Sequence, residues 1–182
     1  MKSKTCESVI KLRKSTRSFS NEEISMNDIF EIIDAGRLAP SAKNRQPWSF
    51  YILADNEKSQ VVKMLENHLS KDNSEATGLA SANIMRQANK AVLVFMDDER
   101  EYDKVTDLLS VGACIENMLL RATELEISSL WVYDICVIAD KLKELANAKG
   151  KLVSAVLFGK EDVSHKRAVK KEMKDIILNK NI

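Results

Sequence analysis

The sequence predicts a layered α+β or α/β domain in which helix outweighs strand. Three runs of apolar, β-branched and aromatic residues, at 48–53, 91–96 and 152–159, read as strands, and the stretches between them return apolar side chains at helical spacing. A third feature organises the rest. Residues 39–48 hold the chain's two prolines, Pro40 and Pro47, together with Ser41, Lys43, Asn44, Arg45, Gln46 and Trp48. Each proline restrains its own φ and turns the preceding residue away from the helical region, so a shaped polar loop is expected here. Such a loop beside a strand is a place to hold a ligand.

In chain order, residues 5–14 carry Val9, Ile10 and Leu12 among polar neighbours and predict a short helix ending at the cluster Arg13-Lys14-Ser15-Thr16-Arg17. Ser18 and Ser20 argue for a turn or extended chain after it. Ser25 is placed to cap the next helix, with Asp28 completing a capping box. Ile29, Ile32, Ile33 and Leu38 share a face of that helix, which Pro40 ends. After the strand at 48–53, residues 57–68 are helical through Val61, Val62, Met64 and Leu65; the polar 71–75 breaks the pattern, and 76–87 forms a further helix of small residues.

Residues 91–96 are continuously apolar, as a strand buried on both faces should be, and Asp97-Asp98-Glu99 reads as its solvated edge. The longest periodic segment, 105–126, is apolar on more than one stripe, so it is either a central helix or one covered by a second subunit. Residues 128–133 read as the start of a loop against a ligand. Residues 139–148 are helical with Leu142 and Leu145 inward, and the tail places Val169, Met173, Ile176 and Ile177 at helical spacing, in need of a surface to cover.

The 182 residues suit one domain, 1–182, with 45% hydrophobic and 30% charged side chains typical of a soluble globular protein. A net charge of +1 removes the electrostatic case for a nucleic-acid partner but leaves local clusters able to bind a small anion. Cys6, Cys114 and Cys136 are too widely spaced for a redox or zinc motif and read as reduced thiols of a cytoplasmic protein, with Cys114 and Cys136 as small buried side chains. The basic start of the chain is not followed by the apolar run of a signal peptide, and no apolar run approaches the roughly 18 residues of a membrane span.

Metal-ligand spacing is missing, as are the phosphate-binding loop and the dinucleotide glycine fingerprint. His68 and His165 sit in no motif that fixes a serine or cysteine beside them. For an enzyme, a bound organic cofactor is then the simplest source of chemistry. Arg13 to Arg17 offer cations and hydroxyls apt for a phosphate, and His165-Lys166-Arg167 could supply a second side of the same anion site. The amides of Asn44 and Gln46 suit a heteroaromatic ring edge or a polyol.

Arg13-Lys14-Ser15-Thr16-Arg17-Ser18-Phe19, followed by Ala39-Pro40-Ser41-Ala42-Lys43-Asn44-Arg45-Gln46-Pro47-Trp48, resembles the paired signatures of the nitroreductase-like flavoprotein family. The helix from Asp107 through Leu120 is similar to that family's central dimer helix, and the likeness covers residues 8–168. The resemblance implies an α+β fold with a central mixed or antiparallel sheet flanked by helices, in an intertwined homodimer with FMN sites across the interface. It implies phosphate contacts from Arg13 and Arg167 and cofactor contacts from Lys14 and Ser15, with His165 matching a basic position before Arg167. Arg17 would lie near the ribityl chain and pyrimidine edge as an electrostatic contributor, Pro40, Ser41, Asn44 and Gln46 would reach in from the partner chain, and Ser128, Ser129 and Leu130 would lie beside the ring. Glu126 stands in a stretch where the family commonly has glycine. The implied activity is ping-pong hydride transfer from NADH or NADPH to a small electron-poor acceptor such as a nitroaromatic, quinone or free flavin, with no catalytic side chain, metal, nucleic acid or membrane involved. A specialised metabolite reductase, dehydrogenase or dehalogenase, and a non-catalytic flavin-binding redox sensor, remain alternatives.

Overall fold

The computed structural model describes residues 4–69, 76–97, 104–164 and 166–178. In chain order the elements are α1 (Cys6–Leu12), α2 (Met26–Arg37), a 3-10 turn (Ala42–Asn44), β1 (Trp48–Ile52), α3 (Asp55–Leu69), α4 (Ala76–Gln87), β2 (Lys90–Met96), α5 (Lys104–Glu124), β3 (Ser128–Val132), a second 3-10 turn (Asp134–Ile138), α6 (Ala139–Leu145), β4 (Lys151–Gly159) and the short α7 (Met173–Ile176). The expectations at 71–75, Asp98, Glu99 and His165 lie outside the described residues.

Four strands form one sheet in the order β1-β2-β4-β3, every adjacent pair antiparallel. The period-2 alternation of side chains splits the two central strands between two cores. Ala91, Leu93 and Phe95 of β2 join Leu152, Ala155 and Leu157 of β4 in a core roofed by α3, α4 and α6. Val92, Val94 and Met96 join Val156 and Phe158 in a second core under α2 and α5. The continuous apolar run of β2 is thus buried on both faces, as its sequence predicts.

Ser25 caps α2 by accepting the Asp28 N–H, and Asp28 returns a bond to the Ser25 N–H, so the capping box is complete. Three expectations need correction. Residues 128–132 are a strand, because their backbone ladder with β4 supersedes the loop reading. Leu38 lies past the last turn of α2 and is 67% exposed, off the core face. The tail forms only the four-residue α7, with Val169, Met173 and Leu178 exposed. On α5, the apolar side chains of Val105, Leu108 and Leu109 are also left uncovered by this chain.

Candidate functional site

Both ends of the chain meet at the outer edge of β3. α1 ends at Leu12, and the extended chain after it runs beside β3: Ser15 bridges Ser129 in parallel, and the Thr16 N–H donates to the Ser129 carbonyl at 2.9 Å. The same segment then pairs with the exit of β4, where Phe19 bridges Glu161 and the Ser20 N–H donates to the Lys160 carbonyl at 2.9 Å. Arg167 closes the arrangement by donating to the Arg13 carbonyl.

Between these segments lies a cavity of about 720 Å³, lined by Arg13, Lys14, Ser15, Arg17, Lys166 and Arg167, with Lys11 and Lys170 beside them. Among the described residues, every charged side chain in that lining is a cation. Arg13 is half-buried, its Nε 3.7 Å from Glu116 on α5, which orients the guanidinium without enclosing it. Lys14 pairs with Glu161 at 2.7 Å and donates to Ser164 Oγ at 3.0 Å, so its ammonium already ties the segment to the exit of β4. Arg17 is exposed and has no carboxylate partner among the described residues. Thr16 Oγ1, between Ser15 and Arg17 in sequence, is buried without a hydrogen-bond partner.

The proline loop packs elsewhere. The Ala42 N–H donates to Ser110 Oγ at 3.4 Å, and Arg45 pairs with Asp107, so the loop sits on the first turns of α5. Arg13 meets the same helix at Glu116. Six residues separate Ser110 from Glu116, about 9 Å along the axis. No residue of 40–46 lines the cationic cavity. Within the loop, Ser41 Oγ accepts the Gln46 N–H at 2.9 Å, while Pro40, Asn44 and Gln46 are exposed and Pro47 is buried.

At β3, the side chains of Ser129 and Leu130 are buried, with Leu130 in the core under α3, α4 and α6. The backbone edge of this strand, not those two side chains, faces the Arg13–Arg17 segment. Sequence reasoning missed Lys11, Lys170 and Glu161, and gave Asp107 no role beyond heading the long helix. Asp107 carried a signal, a carboxylate heading an otherwise apolar-periodic helix; the others are joined by topology alone. Among the described residues no thiol lines the cavity: Cys114 is buried, with burial pushing it up to about 12, and Cys6 lies on exposed α1. Cys136 is half-buried rather than fully buried as expected, its thiol raised by burial and donating to the Val153 carbonyl. No cluster able to hold a metal ion occurs among the described residues, and no helix among them is long and apolar enough to cross a membrane.

An antiparallel sheet between two helical layers, with a cavity whose described charged residues are all cations where the two end segments meet, defines an α+β protein able to hold an anionic ligand. The nitroreductase family model matches residues 10–160, and the chain belongs to that family. A protein of Archaeoglobus fulgidus, provisionally assigned as an NADH dehydrogenase/NAD(P)H nitroreductase, is 34% identical over 128 residues, 70% of this chain and 66%, just under two thirds, of its own length. Among solved structures, a provisionally assigned nitroreductase of Desulfovibrio desulfuricans in complex with FMN superposes with a TM-score of 0.79 at 25% identity, covering 96% of this chain and 95% of the other. A nitroreductase of Desulfitobacterium hafniense with bound FMN shares the fold at a TM-score of 0.79 and 22% identity, over 94% of this chain and 95% of its own.

Proposed function

We propose that the protein is an FMN-dependent oxidoreductase, drawing electrons from NADH or NADPH and passing them to an electron-poor acceptor such as a nitroaromatic or quinone. The observation that carries this reading is the cavity whose described charged residues are all cations, in a chain whose FMN-bound relative covers 96% of its length. A phosphate dianion fits that donor set. Arg13 and Arg167 would grip it with planar donor forks, and Ser15 would add a directional hydroxyl. When bound, FMN supplies a centre that accepts and gives hydride. Arg17, its charge not neutralised by a carboxylate among the described residues, would favour the accumulation of negative charge on the reduced ring system. Asn44 and Gln46, exposed on the proline loop, carry the amide donors and acceptors that a heteroaromatic edge requires.

In this reading the loop serves a second copy of the chain, and the working unit is a homodimer. The separation of the loop from the cationic cavity within one chain supports it, as do the uncovered Val105, Leu108 and Leu109 of α5 and the exposed apolar tail. Val105, Leu108 and Leu109 stand at i, i+3 and i+4 on α5, so they form one exposed apolar stripe of the kind that interaction sites present. The test is anaerobic mixing of FMN-loaded protein with NADH and with NADPH, following the flavin absorbance. Bleaching by at least one donor, and recovery on adding a nitroaromatic or quinone, is the expected result; no bleaching by either donor sinks the nicotinamide half-reaction.

A further inference from the structure

We propose that Arg45 and Asp107 are positioning residues, a buried latch that holds loop 41–46 in the one shape that lets Asn44 and Gln46 reach a cofactor. The proposal rests on the FMN reading above for its ligand, and on geometry alone for the latch. Lys43, Asn44 and Gln46 have φ of 53°, 53° and 51°, so three of six consecutive residues occupy the left-handed region that L side chains disfavour. None of the three is a glycine. Such a run persists only where its surroundings over-determine it.

The contacts that do so converge on α5. Arg45 Nε and Nη2 both donate to Asp107 Oδ1, at 3.0 and 2.7 Å, and Nη2 also donates to Thr106 Oγ1 at 3.2 Å. The paired side chains are only 11% and 6% exposed, although Lys43, Asn44 and Gln46 around Arg45 face solvent. Asp107 lies in the first turn of α5, where the helix dipole favours a carboxylate. Ser110, one turn on, donates to the Thr106 carbonyl at 2.7 Å and accepts the Ala42 N–H. The Ser41 hydroxyl, accepting the Gln46 N–H, closes the loop on itself. Its ends are thus tied by hydroxyls and its centre by a desolvated ion pair. Deleting the Arg45 charge leaves the Asp107 carboxylate buried without its guanidinium, and deleting the Asp107 charge removes the two hydrogen bonds that fix the Arg45 fork on α5; either change frees the loop to move away.

The test compares wild type with Arg45→Gln, Asp107→Asn, Arg45→Lys and the double Arg45→Gln/Asp107→Asn. Amide hydrogen exchange is measured on FMN-free protein and FMN affinity by fluorescence titration. In the Gln and Asn variants, exchange at Ala42, Asn44 and Gln46 is expected to quicken at least about tenfold while Val92 and Val156 in the sheet keep wild-type protection. FMN should bind roughly 10- to 100-fold more weakly, as for other groups that act by orienting a ligand's contacts. The double variant should lose little more than either single, because the two residues act as one unit. Arg45→Lys, which keeps the charge but not the fork, should fall between. Unchanged loop exchange overturns the latch, and quickening at Val92 and Val156 as well reduces it to a contribution to global stability. Quickened loop exchange with wild-type FMN affinity overturns the positioning role. Wild-type protein that takes up no FMN overturns the functional reading and with it the ligand, while the exchange pattern still decides the latch.

Discussion

Glu126 sits just past α5 with φ at 60°. Its neighbour's N–H, on Ile127, donates back to the Ala122 carbonyl at 2.8 Å, the pattern that closes a helix around a left-handed residue. Glycine is the usual occupant; here the carboxylate pairs with Lys4 at 3.1 Å, an exposed contact of small worth. Glu126→Gly should therefore raise stability by about 1 kcal/mol, seen as a higher urea midpoint at unchanged slope. Cys114 carries a second residue-scale prediction. Burial lifts its thiol from 9.0 to about 12 in the folded state, so between those values the unfolded chain has lost a proton that the folded chain keeps. The Cys114 contribution is constant below pH 9 and should lower stability by up to about 1.4 kcal/mol per pH unit from there towards 12. Cys114→Ala should flatten that alkaline slope in denaturant titrations at stepped pH. At this scale the sequence was legible where partners are close in the chain, as with Ser25 and Asp28. Lys14 was not, because Glu161 and Ser164, which occupy its ammonium, lie at the far end of the chain.

At the scale of elements, α2 packs on α5 through Gly36. A Cβ there would stand 2.6 Å from Met118 Cγ and 3.1 Å from Cys114 Sγ. Gly36→Ala should cost about 1–3 kcal/mol by overpacking, and Met118→Ala in the same chain should recover part of it; thermal unfolding of the single and double variants measures both. Repetition made most elements readable: the apolar spacing of α5 and the unbroken run of β2 each announce their burial many times over. β3 offered no such repetition. Ser128 and Ser129 are small and polar, and Trp131 faces outward, so its strand character comes from the ladder to β4 and the bridge to Ser15, both set by distant chain. The tail misled in the opposite sense, since helical spacing without a surface to cover yields only the four residues of α7.

For the whole molecule, the layered α+β class and the family were legible because both motif segments and the long helix occur in one order along the chain. What the sequence left open is how one chain's loop and cations relate in space. Here Val169 and Leu178 are 97% and 96% exposed, Leu109 is 69% exposed, and the loop lies about 9 Å along α5 from the level of Arg13. Those features belong together if each cofactor site takes its cations from one chain and its loop from another. Mixed dimers test this most directly. Chains carrying Arg13→Ala and chains carrying Asn44→Ala/Gln46→Ala are each expected to form homodimers with weakened FMN binding. Combined and purified through two different affinity tags, they should recover one site of wild-type affinity per dimer, built from the intact cations of one chain and the intact loop of the other. A mixed dimer that binds FMN no better than its two parents would contradict the shared site.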